Sequence, residues 1–392
     1  MTAGTTPVSD LPRSAEVVIA GGGVMGMSTA YHLARAGQKS VVVLEAGSDF
    51  GQGATGRCAG GIRHQFSTEV NVRLSIASLA MLNDLAEETG VDAQVRTCGY
   101  FFVLTRPGDV TAFRAHSLMQ RRLGVPTEWF EGADLRRRLP LMRFEDALAG
   151  TFCGQDGLAD PHSVVSGYLQ GARRLGVRAV EGVRVTGVDS DGGRIRSVRT
   201  TQGEIECLHL VNAAGPWAAQ VGAMAGVEIP ILPIRRQMLT TTPLPEVPAD
   251  FPFVIDFTKS LYFHREGDGI LTGMSNPDQA PGMDQSVDPE WELRAMEAAA
   301  ERMPILERAG RRTGWAGLYE VTPDAHPIFG PTPIGGFWVV AGFSGHGFMH
   351  GPIAGKLMAE FILEGNPRTV DVTSLDLARF GEGRLIRETN VI

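Results

Sequence analysis

The stretch EVVIAGGGVMGMSTAYHLARAGQKSVVVLEAG, residues 16–47, decides the fold. Its apolar start, residues 16–20, predicts a short buried strand, and the glycines at 21–23 turn the chain into a helix that reaches about Ala36. A second apolar strand follows over residues 40–45. A strand, a glycine turn, a helix and a strand make a βαβ unit, so these residues predict the start of a parallel sheet.

The glycine turn of this unit fits the pattern GxGxxG with Gly21, Gly23 and Gly26. The first glycine permits the tight turn, the second lets the backbone approach a pyrophosphate, and the third lets the helix pack closely on the sheet. The helix N-terminus adds unpaired N–H groups, and Glu45 ends the next strand, where a carboxylate accepts hydrogen bonds from ribose hydroxyls. The unit predicts a dinucleotide site, with a ligand-free glycine turn as the alternative, and does not distinguish NAD from FAD.

Composition excludes several classes of protein. With 392 residues, of which 43% are hydrophobic, the chain can bury a large core and is expected to form two domains. Its net charge is −8 without a basic cluster, which argues against nucleic acid as a partner. No apolar run reaches the roughly 18 residues that span a bilayer. Residues 1–15 lack the basic start and apolar core of a signal peptide, so we expect a cytoplasmic protein.

The cysteines are scattered and lack the spacing of a metal site, so we expect no metal and reduced thiols. The four cysteines are Cys58, Cys98, Cys153 and Cys207.

The remaining chain predicts an α/β fold, α+β overall, with interleaved domains. Residues 178–188 and 194–200 are predicted to pair as a hairpin around a turn that contains two glycines. Residues 204–212 form a strand that fits a return to the first sheet. The last helix is predicted over residues 352–363, because Gly351 and Pro352 suit a helix start and proline is tolerated at the first helical position.

Four patches carry a resemblance to a known family. They are GGGVMGMSTAYHLA (21–34) with VVVLEAG (41–47), GATGRCAGGIRHQF (53–66), LVNAAGPWA (210–218), and YEVTPDAHPIFGPT (319–332) with VVAGFSGHGFMHGPIAG (339–355). The chain resembles the D-amino-acid-oxidase-type FAD-dependent oxidoreductases, and within them the sarcosine oxidase and proline dehydrogenase β-chain branch. The resemblance implies a Rossmann-like FAD-binding domain over residues 1–88, 150–228 and 322–392. A mixed-sheet substrate domain would take residues 89–149 and 229–321.

The resemblance also implies how the cofactor is held. Small residues at 54–61 let the backbone run beneath the flavin and the ribityl chain, and backbone N–H groups at 345–349 stabilise the negative charge of reduced flavin. A flexible loop and a packing connection are the respective alternatives. The cofactor-binding residues implied are Gly21, Gly23, Val24, Met25, Gly26, Glu45, Ala46, Gly53, Ala54, Thr55, Arg57, Ala59, Gly60, Gly61, Val183, Val185, Ala214, Gly215, Trp217, Gly342, Ser344, Gly345, His346, Gly347, Phe348 and Met349.

Four residues are the candidates for the substrate site. Arg63 stands where monomeric sarcosine oxidases carry an arginine that holds the substrate carboxylate, a task that suits the planar guanidinium. Its alternative is a structural salt bridge. Tyr262 and Tyr319 fall where family members place tyrosines beside the substrate, or else they are core aromatics. His346 lies in SGHG and would polarise the flavin, bind substrate or serve the structure. His64 and His264 are weaker candidates.

Departures from the family pattern qualify these expectations. Gly317 replaces the cysteine that attaches FAD in monomeric sarcosine oxidases, so we expect non-covalent FAD. Met349 replaces a lysine that helps to bind the carboxylate, and Leu271 replaces a lysine that activates oxygen. The electron acceptor is therefore O2 or another carrier. His162 falls near a histidine that carries a second flavin in related β chains, with a helix-start residue as the alternative reading.

The resemblance implies the FAD-dependent oxidation of a C–N bond by hydride transfer to flavin N5, giving an imine that hydrolyses. The substrate would be a small secondary amine or amino acid: sarcosine, another N-substituted glycine, a proline-like imino acid or a D-amino acid. The alternatives are a flavoenzyme of the same fold that oxidises a hydroxy acid or polyol, and a non-catalytic FAD-binding subunit or assembly factor. Related β chains often work in hetero-oligomers, so partner subunits are possible.

Overall fold

The computed structural model describes residues 11–392, so the predictions about residues 1–10 lie outside it. The helices are α1 (Val24–Arg35), α2 (Glu69–Thr89), α3 (Pro107–Arg122), α4 (Gly132–Arg138), α5 (Pro161–Arg174), α6 (Ala218–Met224), α7 (Pro289–Arg302) and α8 (Gly347–Glu364). The strands are β1 (Ser14–Ala20), β2 (Val41–Leu44), β3 (Gly61–Ile62), β4 (Tyr100–Leu104), β5 (Glu128–Glu131), β6 (Ala149–Cys153), β7 (Gly157–Leu158), β8 (Arg178–Val180), β9 (Val185–Asp191), β10 (Arg194–Thr200), β11 (Gly203–Asn212), β12 (Leu232–Thr241), β13 (Phe253–Asp256), β14 (Leu261–Glu266), β15 (Gly269–Met274), β16 (Arg311–Val321), β17 (Ile328–Pro331) and β18 (Phe337–Ala341).

The first sheet contains the predicted βαβ unit. Its strands follow the order β17-β18-β11-β1-β2-β8, and all neighbours except β17 and β18 run parallel. Strands β9 and β10 extend it beside β11. The carboxyl ends of β1 and β11 meet, because Ala20 pairs with Asn212. Ligands of open parallel sheets bind at this edge.

Both faces of this sheet are covered, which explains why its central strands are apolar throughout. Val17 and Ile19 of β1 pack into the core formed with α1, α2, α5 and α8. Val18 and Ala20 alternate with them and pack into a second core on the side of β9, β10 and α6. A strand that is buried on both faces is a continuous apolar run, as residues 17–20 are.

The second large sheet follows the order β16-β12-β15-β14-β13-β4-β6-β5 and is antiparallel except between β13 and β4. The predicted mixed α/β fold is therefore confirmed. The strands of this second sheet come from residues 100–153 and 232–321, so the chain alternates between the two sheets. The division into domains stays a prediction, in which the boundary at residue 150 falls inside β6.

Among the helices of residues 11–392, none combines the length and the hydropathy needed to cross a bilayer.

Two predicted elements are wrong. Residues 178–188 are not one strand: β8 pairs with β2 in parallel, whereas β9 pairs with β10. The break falls at Gly182, which has φ +69°, and the N–H of Val183 donates to the carbonyl of Glu45 at 2.8 Å. The break therefore carries the chain past the end of β2.

The last helix begins at Gly347, five residues before the predicted start, and Pro352 lies inside it. Packing explains this position. A Cβ at Gly351 would overlap the side chain of Val24, and one at Gly355 would overlap Ser28, so the two glycines let α8 press against α1. The hydroxyl of Ser28 donates to the carbonyl of Pro352 at 2.9 Å. These contacts offset the hydrogen bond that proline cannot make in a helix interior.

Candidate active site

A cavity of about 460 Å³ is lined by residues of both large sheets. The two segments expected to hold the flavin, residues 54–61 and 345–349, both contribute to its wall. Among the predicted site residues, Gly26 and Gly342 do not line the cavity, and every other one does. The structure therefore brings together residues that are separated by almost the whole chain.

The glycines at the carboxyl end of β1 leave no room for side chains. Gly21 has φ +114°, and a Cβ there would overlap the carbonyl oxygen of Ala213. A Cβ at Gly26 would overlap the carbonyl oxygen of Gly21, which is why Gly26 shapes the turn without lining the cavity. The carboxylate of Glu45 accepts from the N–H groups of Gly22, at 2.8 Å, and Gly47, at 2.6 Å. The turn is thus fixed at the start of α1.

The segment from Ala54 to Arg63 is held between α1 and β16. The hydroxyl of Thr55 accepts from the N–H of Val24 at 3.2 Å. The guanidinium of Arg57 donates to the carbonyl of Ala316 at 2.9 Å, and the indole of Trp315 donates to the carbonyl of Arg57 at 3.0 Å. These bonds place a stretch of small residues along the cavity wall.

The start of α8 presents backbone N–H groups to the cavity. Ser344 and Gly345 have φ of +50° and +98°, and a Cβ at Gly345 would overlap the ring of Tyr319. Because the helix begins at Gly347, the N–H groups of its first turn, including Gly347 and Phe348, have no partner within the helix. They give this end of the cavity a partial positive charge.

Arg63 is 6% exposed and lines the cavity. Its guanidinium donates to the carbonyl oxygens of Gln65 and Asn390, each at 2.6 Å, and lies 3.9 Å from the ring centroid of Phe66. Among the ion pairs of residues 11–392, none includes Arg63. The alternative of a structural salt bridge is therefore not seen in the described chain. Burial lowers the pKa of Arg63, and the charges of Glu388 and Asp156 offset this only in part, so the guanidinium is buried without a carboxylate in direct contact.

His346 is 1% exposed, and neither ring nitrogen has a hydrogen-bond partner among the described residues. Burial, together with the charge of Arg63 and neighbouring histidines, holds the pKa of His346 well below its usual value. The ring is therefore neutral, and it packs against Phe66 and His350.

The two predicted tyrosines also reach the cavity. Tyr262 lies on β14 and stacks on Phe253 with ring centroids 5.8 Å apart. Tyr319 lies on β16 beside Arg236, whose guanidinium is 5.3 Å from its ring centroid. Burial raises the pKa of both phenols, so both are uncharged hydrogen-bond groups.

Sequence reasoning missed several cavity residues. Tyr100 reads as a core aromatic within an apolar strand, and Arg236 and Glu320 lie on strands without any local motif. Residues 391 and 392 also line the cavity, next to the Asn390 carbonyl that accepts from Arg63. No short sequence signal separates these residues from ordinary strand and end-of-chain residues.

The weaker histidine candidates lie outside this cavity. The Nδ1 atom of His64 is 2.7 Å from Asp156, and with Cys153 they form a group whose ligand atoms lie within 4.8 Å of one another. Asp156 also accepts from the N–H of His64 and the side chain of Gln65, so it already has partners that order this segment. His264 is buried against Phe253.

The family departures also have definite places in the structure. His162 lies against the loop at Gly56, and Leu271 is buried in the apolar cluster that contains Tyr262. Gly317 and Met349 line the cavity.

The buried carboxyl group of Glu320 is expected to make the stability of the fold depend on pH. It is 8% exposed, its Oε2 atom has no partner in the described chain, and burial raises its pKa from 4.5 to about 7. A raised pKa in the folded state stabilises the fold below pH 4.5, and this contribution is lost as the pH rises to 7. We expect Glu320→Gln to gain about 3 kcal/mol in unfolding free energy relative to the parent protein between pH 4.5 and pH 8. Urea unfolding of both FAD-free proteins measures the difference, and a difference independent of pH contradicts it.

Comparison with known proteins assigns the fold and the site to a family. A family model described as FAD dependent oxidoreductase matches residues 16–361. The chain belongs to the FAD dependent oxidoreductase family. It is 32% identical to the mitochondrial dimethylglycine dehydrogenase of Rattus norvegicus, over 94% of this chain and 45% of that protein. It is 30% identical to FAD-dependent oxidoreductase domain-containing protein 1 of Xenopus laevis, over 99% of this chain and 87% of the relative.

A solved structure of the family is similar along nearly all of both chains. The L-proline dehydrogenase from P. horikoshii superposes with a TM-score of 0.89 at 32% identity, covering 96% of this chain and 100% of that one. The chain spans less than half the length of the dimethylglycine and sarcosine dehydrogenases that it matches.

The residues present fit the FAD that the family requires. The turn at Gly21 and Gly26 accepts no side chain, and the start of α8 supplies unpaired N–H groups to the same cavity. Small residues of 54–61 form part of its wall. A diphosphate fits the glycine turn, and an anionic ring edge fits the start of α8.

Proposed function

We propose that this chain oxidises the C–N bond of a small secondary amine or amino acid, such as sarcosine, another N-substituted glycine, a proline-like imino acid or a D-amino acid. The family supports FAD-dependent oxidoreduction. The relatives named above act, by their names, on dimethylglycine and L-proline. The product is an imine that hydrolyses.

The buried guanidinium of Arg63, which makes no ion pair within residues 11–392, carries this proposal. A buried guanidinium costs free energy unless an anion compensates it, and the described residues offer it only carbonyl oxygens. A substrate carboxylate supplies the missing charge and accepts two parallel N–H bonds from the fork of the guanidinium. An amino acid therefore fits the site better than an alcohol without a carboxylate.

The protein residues have distinct tasks in this reaction. When bound, FAD would supply the acceptor for the hydride on the carbon next to the amine nitrogen. Arg63 holds the carboxylate and thereby fixes the substrate, which is worth several kcal/mol when reacting groups are aligned. The neutral phenols of Tyr262 and Tyr319 orient the amine, and aromatic residues such as Phe253 keep water out of the cavity. The lone pair of the neutral amine assists the reaction, so no dedicated base is assigned.

Anaerobic mixing tests the proposal. FAD-loaded protein is combined with a panel of secondary amines and amino acids, and the visible absorbance of the flavin is followed. We expect at least one N-substituted amino acid to bleach it. The proposal is wrong if dithionite reduces the flavin but no amine bleaches it. Bleaching by an alcohol alone would instead support the alternative of a hydroxy acid or polyol substrate.

The position of Leu271 predicts slow reaction with oxygen. This residue is buried among apolar side chains, at the place of the oxygen-activating lysine of monomeric sarcosine oxidases. We expect the reduced protein to be reoxidised more slowly by air than by an artificial quinone, because no cation stands at that place. Stopped-flow absorbance measures both rates, and faster reoxidation by air would identify an oxidase.

Further properties belong to the same proposal, together with the domain division and the roles of the individual site residues. FAD is bound non-covalently, because Gly317 has no side chain to attach it, so acid precipitation should leave the flavin in solution. The cysteines of the described chain are free, which suits a reducing, cytoplasmic compartment. Partner subunits are tested by the molar mass of the purified protein in solution.

A further inference from the structure

A second guanidinium lines the cavity and plays no part in the function proposed above. Arg236 lies on β12, opposite Gly317 of β16. Its guanidinium is 5.3 Å from the ring centroid of Tyr319. It is therefore on the same side of the strand pair as a tyrosine that we assign to the substrate.

The neighbouring residue, Arg235, has carboxylate partners. Arg235 donates to Asp284 at 2.7 Å and lies 3.7 Å from the carboxylate of Asp288. Arg236 has no ion pair within residues 11–392, and it donates only to the carbonyl of Arg235 at 3.2 Å. Its Nε atom is buried without a hydrogen-bond partner, and burial lowers its pKa. Arg235 is therefore paired with carboxylates, whereas Arg236 has no carboxylate partner within residues 11–392.

Arg63 and Arg236 both act on one phenol. Burial raises the pKa of Tyr319, and the charges of Arg236 and Arg63 oppose this rise. Both guanidiniums line the same cavity, and that of Arg236 is 5.3 Å from the ring centroid of Tyr319. Glu320 follows Tyr319 in the sequence and also lines the cavity. Burial keeps its carboxyl group uncharged below pH 7, and it makes no ion pair with either arginine. Two cations that line one cavity create a site for two negative charges.

We propose that the substrate carries two carboxylates, one held by Arg63 and the second by Arg236. The preferred substrate is then an N-substituted amino dicarboxylic acid. This inference rests on the proposed function, which assigns the first carboxylate to Arg63. A hydrogen-bonded ion pair in place of a buried, unpaired guanidinium favours the dicarboxylate by about 10- to 100-fold in affinity.

The test compares matched substrates and matched variants of the FAD-loaded protein. N-methylaspartate and N-methylglutamate are each compared with their side-chain amides, which have the same shape and no second charge. Anaerobic reduction of the flavin gives the half-saturating concentration for each compound. We expect each acid to bind about 10- to 100-fold more tightly than its amide. Arg236→Gln should remove this preference, Arg236→Lys should retain part of it, and Arg235→Gln, which removes an equal charge one residue away, should retain all of it.

Two outcomes overturn the inference directly, and a third requires one further titration. If the amides reduce the flavin as well as the acids do, the second carboxylate has no site, although the proposed function stands. If Arg236→Gln alters FAD affinity or midpoint potential and leaves the preference intact, the guanidinium serves the cofactor instead. If no amine reduces the flavin, the proposed function fails. The visible spectrum is then titrated with glutarate and with butyrate. A glutarate preference that Arg236→Gln removes supports the site, and equal affinity excludes it.

Discussion

Replacing Arg63 with methionine is expected to weaken the binding of a carboxylate substrate by about 30- to 4,000-fold, which corresponds to 2–5 kcal/mol. Methionine fills a similar volume but offers no donor, so the substrate carboxylate would be desolvated without a partner. The half-saturating substrate concentration in anaerobic flavin reduction measures the loss. Arg63→Lys should recover only part of it, because an ammonium lacks the two parallel donors of the guanidinium.

A structural role of Arg63 is the rival explanation, since its guanidinium also holds the carbonyls of Gln65 and Asn390. The two roles are separated by amines that have no carboxylate, such as the methylamide of sarcosine. Substrate recognition predicts that Arg63→Met affects only the carboxylate compounds and leaves FAD affinity unchanged. Equal losses for all amines, or loss of the flavin, would show that the arginine supports the fold.

The cofactor end of the cavity could be predicted because its requirements are local. Gly21 needs its positive φ within a single turn, and Gly26 follows only five residues later, so a short pattern contains the whole constraint. The segments at 54–63 and 344–349 are likewise rich in small residues that stand out in the sequence. Their convergence on one cavity follows from the order of the strands, which the resemblance supplied.

The substrate end depends on strand register, which the sequence does not display. Arg235 and Arg236 are identical neighbours, yet one makes ion pairs outside the cavity and the other lines it. Only the pairing of β12 with β16 decides which is which. The predicted helix start at Pro352 is wrong for a related reason. The local preference of proline for a helix start is outweighed by the packing of α8 on α1 through Gly351 and Gly355. Long-range packing outweighs local propensity at both places.

Replacing Gly26 with alanine is expected to produce protein that purifies without bound flavin. The added Cβ would overlap the carbonyl oxygen of Gly21, so α1 has to move away from the end of β1. This displacement costs about 1–3 kcal/mol of stability as overpacking, and it moves the N–H groups of the helix start away from the place of the diphosphate. Titration of the apoprotein with FAD, followed by the quenching of flavin fluorescence, measures the loss of affinity.

Gly108 offers a matched control, because it also lies in the first turn of a helix and a Cβ there meets no atom within 4 Å. Gly108→Ala should keep full FAD affinity and raise the unfolding free energy by up to about 1 kcal/mol, the ordinary gain from a better helix former. If Gly26→Ala bound FAD as tightly as Gly108→Ala does, the close approach of α1 to β1 would be unnecessary for the diphosphate. The nucleotide would then have to be placed elsewhere in the cavity, and the assignment of the first helix to it would be lost.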